Sequence, residues 1–454
     1  MSNQSSEERY IARFPKSRAM YEQARGIMSR GVTHDAWYML PFPVYIARAS
    51  GSHEWDVDGY EYVDYWGGHG SAILGHAHPS LVEAINKQIQ IGTQYGACAE
   101  QQLEWGELIK SIIPCAERVE FTSSGTESNM LAIRIARAFT GRQKVARFRG
   151  QFGGFPDHAM VGLREPWEVP ITNGLLPAIA ENTVIIPVND EKSLDQALSG
   201  RDVAILMVEA AGAYSGVTGI AHSFYKVMRD LTTKYGTVLH FDEVVTGFRY
   251  AKNSVQAARG ITPDLTSLGK IVTGGIPGAG AVVGRAEVMD MLQFKDDKDW
   301  NRFKRVYHSG TFNGNPLCAA TGTATLKILA TGEPQKKAEE AAKLLRKGMQ
   351  QAMDEQGIEG CVYGDFSVYH MHFGECELQE ECDRTICLND KKAVPASIST
   401  ALATNLLLNG VHPSVRAIDG FISAAHTRED LDKTVEAFSA SLKTMLGEGV
   451  LKTR

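Results

Sequence analysis

The sequence predicts an α/β protein in which a mostly parallel sheet is wrapped by helices, with smaller lobes at the two ends of the chain. Three observations predict it. From Pro79 onward, helix-period segments alternate with short apolar runs, the pattern of a sheet covered by helices. Ahead of Pro79 the chain reads as short strands joined by glycine turns, and beyond residue 330 it reads as mixed helices and strands. At 454 residues with 43% hydrophobic content, the chain is long enough for more than one domain and can fill a real core.

Taken in order, Arg18 to Arg30 has helical periodicity, with Ala19, Tyr21, Ala24, Ile27 and Met28 apolar and Gly31 as the stop. After a loop, Tyr45 to Ala47, Glu54 to Asp56 and Tyr62 to Asp64 read as an antiparallel meander with turns at Gly51 and Asp58-Gly59. Helices are then expected over Ser80 to Ile91, Glu100 to Ile113 and Glu127 to Phe139. Strands are expected over Val119 to Thr122, Val145 to Phe148, Ala204 to Val208, Val238 to Phe241 and Gly280 to Gly284. Leu317 to Leu329 and Glu333 to Glu355 predict long helices leading out of this region. Strands near Cys361 to Phe373 and Gly420 to Ala425, with helices near Pro395 to Leu408 and Arg428 to Leu446, complete an α+β lobe. The divisions expected are an N-terminal segment 1–78, a large domain 79–330 and a C-terminal domain 331–454. No internal repeat or low-complexity tract interrupts them.

A net charge of −6 with interspersed signs offers no basic stripe for nucleic acid and no polybasic segment for a membrane surface. Met1 to Arg18 is polar and charged, and the apolar run Val203 to Val208 is cut short by Glu209, so a cytoplasmic protein acting on small molecules is expected. The seven cysteines are odd in number and irregularly spaced. Cys376, Cys382 and Cys387 lack a paired histidine motif, and His76 and His78 form a His-x-His pair with no third ligand, so no metal is expected and the cysteines read as reduced thiols.

The residue that says most about chemistry is Lys270, in Leu268-Gly269-Lys270-Ile271-Val272-Thr273-Gly274-Gly275. A lysine amine is a nucleophile only when deprotonated, and an apolar, glycine-flanked setting lowers its pKa by desolvation. Asp242 ends the apolar run Val238 to Phe241, where a lone buried carboxylate would be expensive and a protonated pyridine nitrogen would supply the missing cation. The pair points to pyridoxal 5'-phosphate. Glu120-Phe121-Thr122-Ser123-Ser124-Gly125-Thr126-Glu127 runs from a strand through a small-residue turn into a helix, which aims free amides at one point and suits a phosphate; Ser124 and Glu127 also read as a plain capping box. Thr311, in the glycine-punctuated run Ser309 to Pro316, could offer a hydroxyl to the same phosphate. Val244 shares a strand face with Asp242 and could press on one side of a ring, with Phe152 stacked on the other.

These motifs, in this order, resemble the class III aminotransferases of pyridoxal-phosphate fold type I, and within them the glutamate-1-semialdehyde 2,1-aminomutase-like branch. The likeness covers nearly the whole chain. It rests on Trp55-Asp56-Val57-Asp58-Gly59, Ile73-Leu74-Gly75-His76-Ala77-His78-Pro79, Ser123 to Glu127, Phe241-Asp242-Glu243-Val244-Val245-Thr246-Gly247-Phe248-Arg249, Thr266 to Lys270 and Ser309 to Pro316. The resemblance implies a large domain with a mostly parallel seven-stranded sheet and a small α+β domain from both chain ends. It also implies Lys270 as Schiff-base lysine and proton shuttle, Asp242 on the pyridine nitrogen, and Gly125 and Thr126 on the phosphate. Thr311 would reach the phosphate of the other subunit, which makes the enzyme a homodimer with active sites at the subunit interface.

Departures from the family concern the substrate. Phe152-Gly153-Gly154 stands where the family has Tyr-His-Gly, which keeps the stacking ring. After Glu209, where the aminomutases carry an asparagine for the cofactor's phenolic oxygen, this chain has Ala210-Ala211-Gly212-Ala213-Tyr214-Ser215, leaving Tyr214 or Ser215 for that role. The segment Val32 to Met39 has no counterpart of the aminomutases' carboxylate-binding arginine, and His69 replaces a tryptophan of the pocket wall. His34, Trp37, Tyr38 and His69 are the substrate candidates, with an aromatic entrance from Trp37, Tyr38 and Phe42, and Arg416 is the remaining candidate for a substrate carboxylate.

The function expected on these grounds is a ping-pong aminotransferase moving an amino group from a small hydrophobic, β- or ω-amine or amino acid donor to a keto acid or aldehyde acceptor. An isomerase of the glutamate-1-semialdehyde aminomutase type stands second, because of the missing loop arginine. A non-catalytic cofactor-binding regulator stands third; it would require an attached recognition domain or the loss of Lys270.

Overall fold

The computed structural model describes residues 4–211, 219–375, 394–414 and 416–453. The chain forms two compact units, one of residues 79–333 and one of residues 1–78 with 334–454.

The unit of residues 79–333 is built on a seven-stranded sheet. Its order is Arg118–Thr122, Gly280–Gly284, Leu265–Leu268, Val238–Asp242, Val203–Glu209, Lys144–Phe148, Thr183–Ile186. The last five are mutually parallel, while Gly280–Gly284 runs antiparallel to both of its neighbours. Every residue of Val203–Glu209 is buried, as expected of a central strand covered on both faces. Leu131, Ile135, Val145, Ile205, Met207, Val238 and Val282 share one core cluster.

Two of these strands were not delimited by the sequence pattern. In Leu265–Leu268 the middle residues are Thr266 and Ser267, which hide the apolar signal of a strand. They are buried because Thr266 Oγ1 meets Cys115 Sγ at 3.2 Å and Ser267 Oγ meets His240 Nε2 at 2.8 Å. Thr183–Ile186 is a four-residue edge strand.

In the other unit, Ile46–Ser50, His53–Asp56 and Glu61–Asp64 form the antiparallel meander. Val411–His412 joins it in parallel, with Val411 opposite Val63 and His412 opposite Asp64, so distant parts of the chain share one sheet. Gly360–Tyr363, Val368–Phe373 and Asp419–Phe421 make a three-stranded sheet. Tyr65, Leu345, Met353, Tyr369, Leu402, Leu406, Phe438 and Leu442 form the core between these sheets and the helices Glu333–Glu355, Ala396–Leu408 and Arg428–Gly447.

The helix expected over Arg18 to Arg30 is Pro15–Arg25, opened by a proline at its first position and ended at Gly26. A further helix, Ser6–Arg13, precedes it under a capping box of Ser5 and Glu8, and Ser6 Oγ donates to Asn405 Oδ1 at 3.0 Å. Two carboxylates and two imidazoles pair beneath the meander. His76 Nε2 lies 2.7 Å from Asp64 Oδ2 and 3.6 Å from Glu54 Oε1, and His412 Nδ1 lies 2.6 Å from Glu54 Oε2. Ligand-capable atoms of Glu54, Asp64 and His412 lie within 4.8 Å of one another, and the short contacts are ion-pair hydrogen bonds among the four side chains. Among the described residues, no helix is long and apolar enough to cross a membrane.

Candidate active site

The parallel strands of the 79–333 unit place their carboxyl ends side by side. Glu209 is in register with Asp242, and Asp242 with Ser267. In open α/β sheets this is the edge where ligands bind.

Asp242 is buried. Its Oδ1 accepts the Val244 N–H at 3.0 Å and its Oδ2 accepts Asn129 Nδ2 at 2.7 Å. Burial pushes its carboxyl above the ordinary carboxylate range, against the pull of those two bonds and of the Lys270 charge. Lys270 follows Gly269 at the start of a tight turn, Lys270–Thr273, with φ +49°, a conformation that costs a lysine on the order of 1 kcal/mol and that recurs at functional sites. Protein packed around its amine lowers the lysine pKa, and Asp242 and Glu209 offset part of that shift. A desolvated amine with two nearby carboxylates is a nucleophile and a proton carrier.

The strand Arg118–Thr122 feeds the helix Gly125–Thr140. Ser124 caps that helix by accepting the Glu127 N–H at 3.1 Å, while Glu127 Oε2 accepts the Ser123 N–H at 2.9 Å, one residue earlier than in a true capping box. The cap is compatible with an anion site, since the amides of Gly125 and Thr126 belong to the first turn, where a helix has no internal acceptors. A larger residue at 125 would require Val244 to move: a Cβ there would stand 2.6 Å from both methyls of Val244. A Cβ on Gly269 would stand 3.1 Å from Val244 Cγ1, so Val244 covers the approach to both glycines. Gly154, at φ +77°, lies against Thr126, whose Oγ1 accepts the Phe155 N–H at 3.3 Å. Phe152 is half-buried, its N–H held by Glu209 Oε2 at 2.9 Å.

Three side chains here escaped the sequence reading. Asn129 donates to Asp242. Gln151 Oε1 accepts the Glu209 N–H at 2.9 Å. Arg147, buried in the strand Lys144–Phe148, donates to the His158 carbonyl at 3.1 Å and to the Gln151 carbonyl; burial lowers its pKa to about 10, with Glu209 and Asp242 acting against that shift. The available signal was an arginine inside an apolar strand and an asparagine one helical turn past Gly125.

Thr311 is exposed, and its carbonyl accepts from the Gln94 side chain. Its loop is tied to the Ser123-to-Glu127 turn by Asn313 Oδ1, which accepts from Ser123 Oγ at 3.1 Å. Tyr214 and Ser215 lie outside the described residues.

His34, Trp37 and His69 gather within the unit of residues 1–78 and 334–454. Trp37 Nε1 donates to His69 Nε2 at 2.9 Å, and the His34 and His69 rings lie 4.8 Å apart, with Trp66 4.3 Å from His69. Tyr38 is exposed, and Phe42 is core, its carbonyl accepting Tyr10 O–H at 2.8 Å. Arg416 is exposed and donates to Asp419 Oδ2 at 3.1 Å.

An amine of lowered pKa, a buried carboxylate, a capped strand-to-helix turn of small residues and a half-buried phenylalanine on a nearby loop suit pyridoxal 5'-phosphate. The family model described as aminotransferase class-III matches residues 35–440. The chain belongs to this family. Pyridoxal 5'-phosphate is accordingly its cofactor, and the fold is that of the fold type I enzymes.

Among curated relatives, the glutamate-1-semialdehyde 2,1-aminomutase of Thermodesulfovibrio yellowstonii is 35% identical over 93% of this chain and 97% of its own. That of Methanothermobacter thermautotrophicus is likewise 35% identical over 93% and 97%. Among solved structures, an omega-transaminase from Sphaerobacter thermophilus is 30% identical, covers 96% of this chain and all of its own, and superposes with a TM-score of 0.87.

The aminomutase relatives correct the expectation of a ping-pong aminotransferase, and they favour the isomerase that stood second. That expectation leaned on the missing arginine in 32–39. One absent side chain in one segment does not exclude a carboxylate grip from elsewhere in a folded chain.

Proposed function

We propose that this class III protein is a pyridoxal-phosphate isomerase of the aminomutase kind, which moves an amino group between carbons of a single substrate molecule. The observation that carries it is the aminomutase identity of relatives aligned over 93% of the chain. When bound, the cofactor supplies an electron sink for the charge left as a proton leaves the carbon bearing nitrogen.

The chain's residues do the rest. Lys270, with its lowered pKa, holds the cofactor and carries the proton between adjacent positions. Asp242 takes the ring N–H and keeps the sink charged. The amides of Gly125 and Thr126, with the Ser124 hydroxyl, bind the phosphate, and Val244 and Phe152 flank the ring. Glu209 fixes the Phe152 loop through the Phe152 N–H. The exposed Thr311 serves the phosphate of a second copy, so the working form is a homodimer.

The test is an isotope experiment. Glutamate 1-semialdehyde carrying a 15N amino group is supplied to cofactor-loaded protein with no other amine or carbonyl compound. Migration of the label to the neighbouring carbon, with the cofactor's absorbance the same before and after, is expected. Lasting conversion of the cofactor to its amine form, with release of a carbonyl product, overturns the proposal. Lys270→Ala should abolish label migration and the covalent absorbance band together.

A further inference from the structure

The side chain that links the parts of the cofactor cradle is Asn129. It sits one turn after Gly125 on the helix Gly125–Thr140 and is 1% exposed. Its Nδ2 makes two hydrogen bonds, to Asp242 Oδ2 at 2.7 Å and to the Gly153 carbonyl at 3.0 Å. The Gly153 carbonyl can only accept, so the amide must turn its NH2 toward it, and the same nitrogen then donates to Asp242. Its Oδ1 is then left buried without a partner among the described residues.

An unpartnered buried oxygen is destabilising, and an apolar side chain of the same size would avoid it. A position that served packing alone would therefore favour valine or leucine. What asparagine supplies is a pair of donors, one of them to a carboxylate. Hydrogen bonds that favour the charged form lower a carboxyl pKa, and Asn129 is one of the groups that opposes the upward push of burial on Asp242. The same side chain joins the helix whose first turn faces the phosphate, the carboxylate at the end of Val238–Asp242 and the loop carrying Phe152.

We propose that Asn129 is a positioning residue that keeps Asp242 ionised and aimed at the cofactor's ring nitrogen, acting through Asp242 and not through packing. This rests on the reading of Asp242 as the ring-nitrogen partner. Because Val244 N–H occupies Oδ1 and Asn129 occupies Oδ2, the carboxylate plane is fixed before any ring arrives.

The experiment is a double-mutant cycle on the full-length protein, with Asn129→Val, Asp242→Asn and the pair. Cofactor dissociation constants are measured by fluorescence titration of apo-protein, and the visible band of loaded protein is titrated with pH. Asn129→Val should weaken cofactor binding by about tenfold and move the midpoint of the band. In the Asp242→Asn background the same change should cost less than about twofold, because the group it acts through is gone. An equal loss in both backgrounds would assign Asn129 a structural role through Gly153 and overturn the proposal.

If Asp242→Asn alone leaves affinity and band unchanged, the Asp242 reading itself fails, and the inference with it. Asn129→Asp guards against a misfolded valine variant. It keeps the size but turns an acceptor toward Asp242, and should weaken binding more than valine does, again only while Asp242 is present. Thermal melts of the apo-proteins identify any variant that has lost its fold.

Discussion

Acid should weaken the 79–333 unit through His240. This imidazole lies within the central strand Val238–Asp242, fully buried, with Nε2 on Ser267 Oγ at 2.8 Å and Nδ1 without a partner among the described residues. Burial pushes its pKa down to about 3. The sign follows from the unfolded chain, where a histidine titrates near pH 6.5 and so takes its proton first. The contribution of neutral His240 is complete above about pH 6.5 and is lost as the pH falls toward its native value. Each pH unit in that window removes about 1.4 kcal/mol, so at about pH 4.5 the loss is roughly 2–3 kcal/mol, a large part of a stability of about 5–15 kcal/mol.

The assay is urea unfolding followed by intrinsic fluorescence across this pH range, for the natural protein and for His240→Gln, which can still meet Ser267 but does not titrate. The variant should be less stable at neutral pH and should recover roughly 2–3 kcal/mol relative to the natural protein by about pH 4.5. Parallel stability curves for the two proteins would refute the argument.

Gly125→Ala should lower the melting temperature by an amount equivalent to about 1–3 kcal/mol, because the new methyl meets both Val244 methyls at 2.6 Å; Val244→Ala in the same chain should restore most of it. His76 should show the opposite pH slope to His240. Burial alone would lower its pKa, but the hydrogen bond and charge of Asp64 outweigh that and hold it above the usual value. Its contribution is therefore full below about pH 6.5 and lost as the pH rises through the native value, and His76→Gln should flatten that part of a melting-temperature profile.

The buried settings of Lys270 and Asp242 and the strand-to-helix turn Ser123 to Glu127 were legible in the sequence because each residue type makes an extreme demand on its surroundings. A lysine among glycines, a carboxylate ending an apolar strand and a small-residue strand-to-helix turn leave few settings that satisfy them. Asn129 and Arg147 were not legible, since their meaning comes from burial and from partners 113 residues and 11 residues away in the chain. The bounds of Leu265–Leu268 were not legible for a related reason. Thr266 and Ser267 look like loop residues until Cys115 and His240 are in place to bond them. The missing arginine at 32–39 misled for the reverse reason: a substrate grip is a position in space, and a gap in one segment does not describe it.

The two-residue strand Val411–His412 has a consequence for how the protein is made. Val63 leaves the ribosome about 350 residues before its partner Val411, so at roughly 5–20 residues per second the meander waits on the order of 20–70 s with one edge uncovered. Residues 79–333 are completed within that interval, about 80 residues before Val411, so that unit can begin to fold while its neighbour still waits. Synthesis thus orders the assembly: the unit of residues 79–333 can form first, while the uncovered edge of the N-terminal strands waits for Val411.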